Sequence, residues 1–352
     1  MLAAENKVKT ISAGSRLAWI DVLRGLAILA VILYHARGQV SGELNTSLGV
    51  ITTVDNAISP FRMPILMFLS GMLLPFSLAK PWATYLQGKF RKIAWPYVVW
   101  SVGYVGILVA ASSFREKSVG LDAFGKIFYA PPTYHWYLAY LVVFYVIALL
   151  LSRVPWVRLA TIPLAFVGAA LVDGDLKRML FLWSFFMAGD AVATNWERLK
   201  PVVTHPVTVI ICAAATIPVL VVAGLGNQIR YDSLWAVGIL AAIFALRPLM
   251  EAVAPTIIGA VLTAVGRQSV VYYVSHNLIS ALSLQALLLV GVTNALLLFV
   301  LTSTIALIVG YGLVLLRQYP LGAWLFEWAP RSTHVPSAKR STSSPSANST
   351  VK

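Results

Sequence analysis

Long apolar runs separated by short polar breaks dominate the chain. A helix crosses roughly 30 Å of hydrocarbon with about 20 apolar residues. Ten runs reach or approach that length: 17–36, 61–79, 95–112, 135–151, 157–172, 178–194, 206–223, 233–250, 269–290 and 294–316. They are unbroken rather than alternating in polarity, which predicts helices and disfavours a transmembrane barrel. Pro163 interrupts the fifth run, and only residues 291–293 separate the ninth from the tenth, which predicts a tight helical hairpin. The expected fold is an all-α polytopic membrane protein, a bundle of about ten transmembrane helices. A segment over 1–16 precedes the membrane domain over 17–328. A Ser/Thr/Pro-rich tail over 329–352 follows and is too polar to bury a core.

Composition narrows the class. Hydrophobic residues make up 59% and charged residues 11%, against about 45–50% and about 25% in soluble domains. Lys and Arg number 27 against 13 Asp and Glu, a net charge of +14. In a soluble protein that balance would suggest nucleic acid. In a membrane protein it reads first as inner loops facing anionic lipid, and no nucleic-acid partner is expected. With the N-terminus inside, 18 of the 27 Lys/Arg fall on or beside inner segments and 7 on or beside outer ones, Arg24 and Arg62 being counted with neither. Both termini are therefore expected in the cytoplasm. The single cysteine, Cys212, excludes an intrachain disulfide, a thiolate zinc site and an iron–sulfur cluster. Asp21 and Arg24 lie inside the first run and no small-residue cleavage site follows, so that run does not read as a signal peptide.

Ionisable groups inside a membrane are costly and usually functional. The first run carries Asp21, Arg24 and His35. Eleven steps of about 100° bring Arg24 and His35 to one helix face, roughly 16 Å apart along the axis. Asp21, three residues before Arg24, can pair with it. The structural alternatives are a capping Asp, a snorkelling Arg and an interfacial His. Arg62, between Pro60 and Pro64, either snorkels outward or projects toward a negative group beside His35. Lys89, Arg91 and Lys92 form a basic loop that is either a topogenic signal or a phosphate site. His135 opens the fourth run beside Trp136 and Tyr137, an arrangement that also suits an aromatic belt. Asp190 is a helix cap or a partner for a buried cation, and His276, beside tyrosines, is a packing residue or a ligand. No Gly-rich phosphate loop, zinc-protease motif or nucleophile elbow is present, and the scattered carboxylates give no metal site.

These residues together carry a resemblance. Arg24 and His35 with ten residues between them resemble the first-span signature of the acyltransferase-3 family. Phe61-Arg-Met-Pro64 with Ser70-Gly71 is similar to the family's second-span pattern, and Arg91-Lys-Ile-Ala-Trp-Pro-Tyr97 to its basic third-span opening. His135-Trp-Tyr-Leu138 and Tyr272-Tyr-Val-Ser-His276 resemble its later His and Tyr/His segments. The matches keep the family's order over residues 16–280. The family's Arg-x-x-Arg is not intact here; Lys89 and Lys92 stand closest, with Arg91 offset.

The resemblance implies a multi-pass enzyme of the bacterial-type inner membrane that moves an acyl group, usually acetyl from acetyl-CoA, onto a hydroxyl of a carbohydrate or glycoconjugate acceptor. Such chemistry needs a base, oxyanion stabilisation and juxtaposed reactants. His35 is the expected base or a transient acyl carrier, with Arg24 on the donor and Asp21 holding Arg24. Lys89, Arg91 and Lys92 are expected at the donor's phosphates, and Arg62 and His135 on the acceptor side. A secondary transporter of an anionic or sugar-like solute is the alternative; no internal repeat is evident to support it.

Overall fold

The computed structural model describes residues 18–111 and 119–329. The expected leading segment and nearly all of the tail lie outside the described residues. Every element described is helical.

α1 runs over Ala18–Glu43. Three helices in series follow, α2 (Val50–Ile58), α3 (Arg62–Gly71) and α4 (Leu74–Leu78). Pro60 falls in the gap between α2 and α3, and Pro75 in the first turn of α4, where a missing N–H costs little. α5 (Trp82–Lys89) passes through a π-turn over Phe90–Ala94 into α6 (Trp95–Ala110). α7 (Asp122–Lys126) and a 3₁₀ turn over Thr133–His135 lead to α8 (Trp136–Leu150). α9 (Pro155–Leu171), α10 (Gly174–Thr194), α11 (Trp196–Val203) and α12 (Pro206–Gly224) come next. α13 (Ala236–Val253), α14 (Ile257–Arg267), α15 (Ser269–Leu289), α16 (Ala295–Leu316) and α17 (Pro320–Trp324) complete the order.

Seven stretches are long and apolar enough to cross a membrane, or eight if α14 and α15, bent by 85°, count as one. The ten expected runs differ from this at α9 and α10. α9 has only 17 residues. α10 is long, but Phe181 to Asp190 are all buried inside the protein, so it has less need of lipid-like side chains. A second difference concerns Lys89, Arg91 and Lys92, expected in a loop. They sit on continuous helix, because the π-turn absorbs Pro96: the Trp95 N–H reaches back five residues to the Phe90 carbonyl.

α1 is the axis of the bundle, packed by α3, α13, α14, α15 and α16. Trp19, Val22, Leu23, Ile28 and Ile32 are almost fully enclosed. Small residues let two neighbours approach closely. A methyl group on Gly25 would lie 1.9 Å from the Leu262 carbonyl oxygen of α14, and one on Gly71 would lie 1.8 Å from that of Phe186 on α10. α12 and α16, by contrast, leave most of their surface outward. The expected hairpin joins α15 to α16 through Gly291, at φ 84°.

Candidate active site

Two polar clusters occupy opposite ends of α1. At the N-terminal end, the enclosed Asp21 carboxylate lies 3.1 Å from Arg267 Nε and 3.9 Å from Arg24 Nη1. Arg24 Nη2 also donates to the Leu69 carbonyl at 3.1 Å. That carbonyl lacks the usual helical donor because α3 ends at Gly71 and the Leu73 N–H bonds Ser70 instead. A polar seam continues from there. Tyr145 Oη donates to the Ser70 carbonyl, Ser70 Oγ lies 3.3 Å from Tyr137 Oη, and Tyr85 Oη donates to the Tyr145 carbonyl. Lys89 Nζ stands 3.5 Å from the Tyr145 ring centre and donates to Ser77 Oγ.

Of the expected basic trio, only Lys89 therefore faces this seam. Arg91 is held by Glu327 at 3.3 Å, which Arg317 also approaches at 3.5 Å, and its carbonyl accepts the Trp328 N–H. Lys92 is exposed.

At the other end, the His35 imidazole borders a cavity of about 580 Å³. Its ring centre is 5.0 Å from that of His276 and 5.9 Å from that of Tyr134. His276 is enclosed, and its Nδ1 contacts two carbonyls, Tyr273 at 2.8 Å and Tyr272 at 3.1 Å. Carbonyls only accept, so Nδ1 carries the hydrogen and the neutral ring presents its lone pair at Nε2. Among the described residues that Nε2 has no hydrogen-bond partner. Tyr273 donates to the Tyr134 carbonyl, pinning α15 to the 3₁₀ turn. Its ring also lies 5.0 Å from that of Tyr137, so side chains link the two clusters.

Arg62 borders the same cavity and is anchored by Asp55, with Nη1 to the carboxylate at 2.8 Å and Nη2 to the carbonyl at 2.9 Å. His135 is elsewhere. It is enclosed, packed against Tyr134 and Tyr104, while its neighbours Tyr134 and Trp136 line the cavity. Asp190 pairs with Arg158 at 3.2 Å beside a recess of about 50 Å³. Among the described residues no group of three or more His, Cys, Asp and Glu converges as metal ligands would.

Sequence reasoning missed several residues here. Asp55 is buried and shared by Arg62 and Arg37, the latter at 2.8 Å. Its seven-residue spacing from Arg62, two helical turns, was the available signal. Arg178 and Arg230 lie at span ends, where the sequence reads them only as flanking positive charge, and Arg267 escapes notice because the bend between α14 and α15 leaves no mark in hydropathy. Tyr231, between the spans, also lines the cavity, and burial pushes its hydroxyl up to about 12, so it stays a protonated donor.

The acyltransferase-3 family model, described as an acyltransferase domain, matches residues 17–315. No curated protein and no solved structure matches the chain.

Proposed function

The chain belongs to the acyltransferase-3 family, and from that premise we propose that this multi-pass membrane acyltransferase moves an acyl group, acetyl first, from acyl-CoA to a carbohydrate hydroxyl, with His35 as the base. The observation that carries the reading is the His35 imidazole at the wall of an aromatic-lined cavity, backed by His276. Aromatic faces and planar polar groups suit a sugar ring, which is apolar on its faces and polar at its rim.

His35 takes the proton from the acceptor hydroxyl as its oxygen attacks the thioester carbonyl. The carbon–sulfur bond then breaks, and the imidazolium returns the proton to the departing CoA thiolate. His276, whose ring centre lies 5.0 Å away, flanks the His35 ring and fixes its position for both transfers. Holding donor and acceptor together supplies much of the remaining rate. The donor enters from the Asp21 end, taken as cytoplasmic from the Lys/Arg bias, with Arg24 and Lys89 along its path. The acceptor meets His35 from the opposite side of a bacterial-type inner membrane.

The test uses membranes or purified protein with acetyl-labelled acetyl-CoA. His35→Ala lowers label transfer by about 10²–10⁴-fold, the usual worth of a general base, with unchanged insertion and melting. Wild-type transfer by this variant overturns the role of His35.

A further inference from the structure

Guanidinium charge accumulates around the His35 cavity without matching carboxylates. Arg62, Arg178 and Arg230 line it, and no Asp or Glu does among the described residues. Behind this wall, Asp55 is already divided between Arg62 and Arg37. Arg178 lies over the Trp136 ring at 4.3 Å, donates to Tyr140 Oη, and among the described residues pairs only with Asp175, whose side chain is 83% exposed and open to solvent screening. Arg230 donates to neutral groups, Tyr34 Oη at 3.3 Å and Gln228 Oε1 at 3.5 Å. Asp232, the nearest carboxylate in sequence, caps the turn after it through the Leu234 N–H.

The Tyr34 ring, next to the reacting His35, has three guanidinium carbons within 5.8 Å of its centre, those of Arg62, Arg37 and Arg230. Cation–π contact and hydrogen bonds hold Arg230 in place without neutralising it, and Asp55 meets Arg62 and Arg37 with a single negative charge. Guanidinium forks arranged this way suit an oxyanion, which accepts two parallel hydrogen bonds from each.

We propose that the acceptor is acidic: a sugar bearing a carboxylate or phosphate, bound with its acid group against Arg178 and Arg230 and a hydroxyl toward His35. The proposal rests on the reading of this cavity as the acceptor site. It adds a selectivity, because a neutral sugar would leave the arginine charges facing one another across the cavity.

The experiment separates binding from chemistry. The purified full chain in neutral detergent is titrated calorimetrically with maltotriose, trigalacturonate and glucose 1-phosphate, and label transfer from acetyl-CoA is measured separately. An acidic ligand is expected to bind about tenfold more tightly than maltotriose at low salt, with the advantage shrinking as salt rises. Arg178→Gln with Arg230→Gln should lower the acid-to-neutral affinity ratio by about tenfold, and Arg178→Lys with Arg230→Lys should restore part of it. Preference for trigalacturonate identifies a carboxylate, and preference for glucose 1-phosphate a phosphate. Equal affinity for all three, or a ratio untouched by the double Gln variant, overturns the proposal. Absence of label transfer alongside selective acid binding overturns the catalytic reading instead and leaves the acid site standing.

Discussion

Asp21 and Asp55 do the same job at opposite ends of the bundle. Each is a buried carboxylate set between two guanidiniums, Arg24 and Arg267 in one case, Arg37 and Arg62 in the other. What surrounds them differs. Around Asp21 the polar groups run on into a seam of backbone carbonyls and tyrosine hydroxyls, and two helices cross α1 and α3 at glycine contacts. Around Asp55 two further arginines stand on aromatic faces and the protein opens into a cavity. A buried ion pair tolerates little change when packing is tight, because removing one partner strands the other. One bordering a cavity can exchange partners with a ligand. The first arrangement sits where helices cross in close contact, and the second sits beside an open cavity lined by further arginines.

The sharpest way to break this contrast is to neutralise each carboxylate. Asp21→Asn leaves Arg24 enclosed beside a neutral amide and should destabilise the protein by about 3 kcal/mol, read as a lower melting temperature in detergent that sulfate does not restore. Asp55→Asn should cost a similar amount at low salt, but millimolar sulfate should recover part of it, since the cavity admits an anion to Arg62. Identical responses of the two variants to sulfate would remove the distinction. Next in size is Gly71→Ala. Its methyl would meet the Phe186 carbonyl oxygen at 1.8 Å, so α3 and α10 must separate. The expected loss is about 2 kcal/mol, the cost of overpacking a tight core. Gly103 on α6, which has open space around its Cβ position, serves as the control in the same melt.

His276 tests the cavity end for chemistry rather than stability. It touches no reacting atom and acts through His35, so it is a positioning residue. His276→Phe keeps the ring but removes both nitrogens. It should lower kcat by about tenfold, roughly 1.4 kcal/mol of transition-state stabilisation, with the KM for acetyl-CoA unchanged and the pH profile of kcat displaced. A change in KM alone, or an unmoved pH profile, would make His276 a packing residue.

The sequence made the helices legible wherever a helix must satisfy lipid on its own, as along α12 and α16. α10 is legible as a helix but not by hydropathy alone, because protein encloses its middle and relaxes the demand for apolar side chains. The axial arrangement of Asp21, Arg24 and His35 followed from helical periodicity alone, since all three ride one uninterrupted helix. Arg267, Asp55, Arg178 and Arg230 did not, because their places depend on which helices cross. A bend of 85° brings Arg267 to Asp21. The family match decides for an acyltransferase over a solute carrier, a choice the intramembrane charges left open, as both classes bury cations.

The smallest effect concerns the basic trio of α5 and the π-turn, where spacing treats three cations as equals and packing does not. Lys89 is turned inward onto Tyr145, along the seam that ends at Arg24. Lys92 is exposed, and a solvated ammonium at a surface contributes little to binding a phosphate that water also solvates. If the donor travels this seam, Lys89→Met should raise the KM for acetyl-CoA about tenfold, while Lys92→Gln should change it by about twofold or less. Arg91→Gln should instead lower the melting temperature, because Arg91 is committed to Glu327 beside Trp324 and Trp328. Equal KM shifts at positions 89 and 92 would mean that the donor's phosphates sit outside the seam, in water at the surface, and that the inward turn of Lys89 serves packing alone.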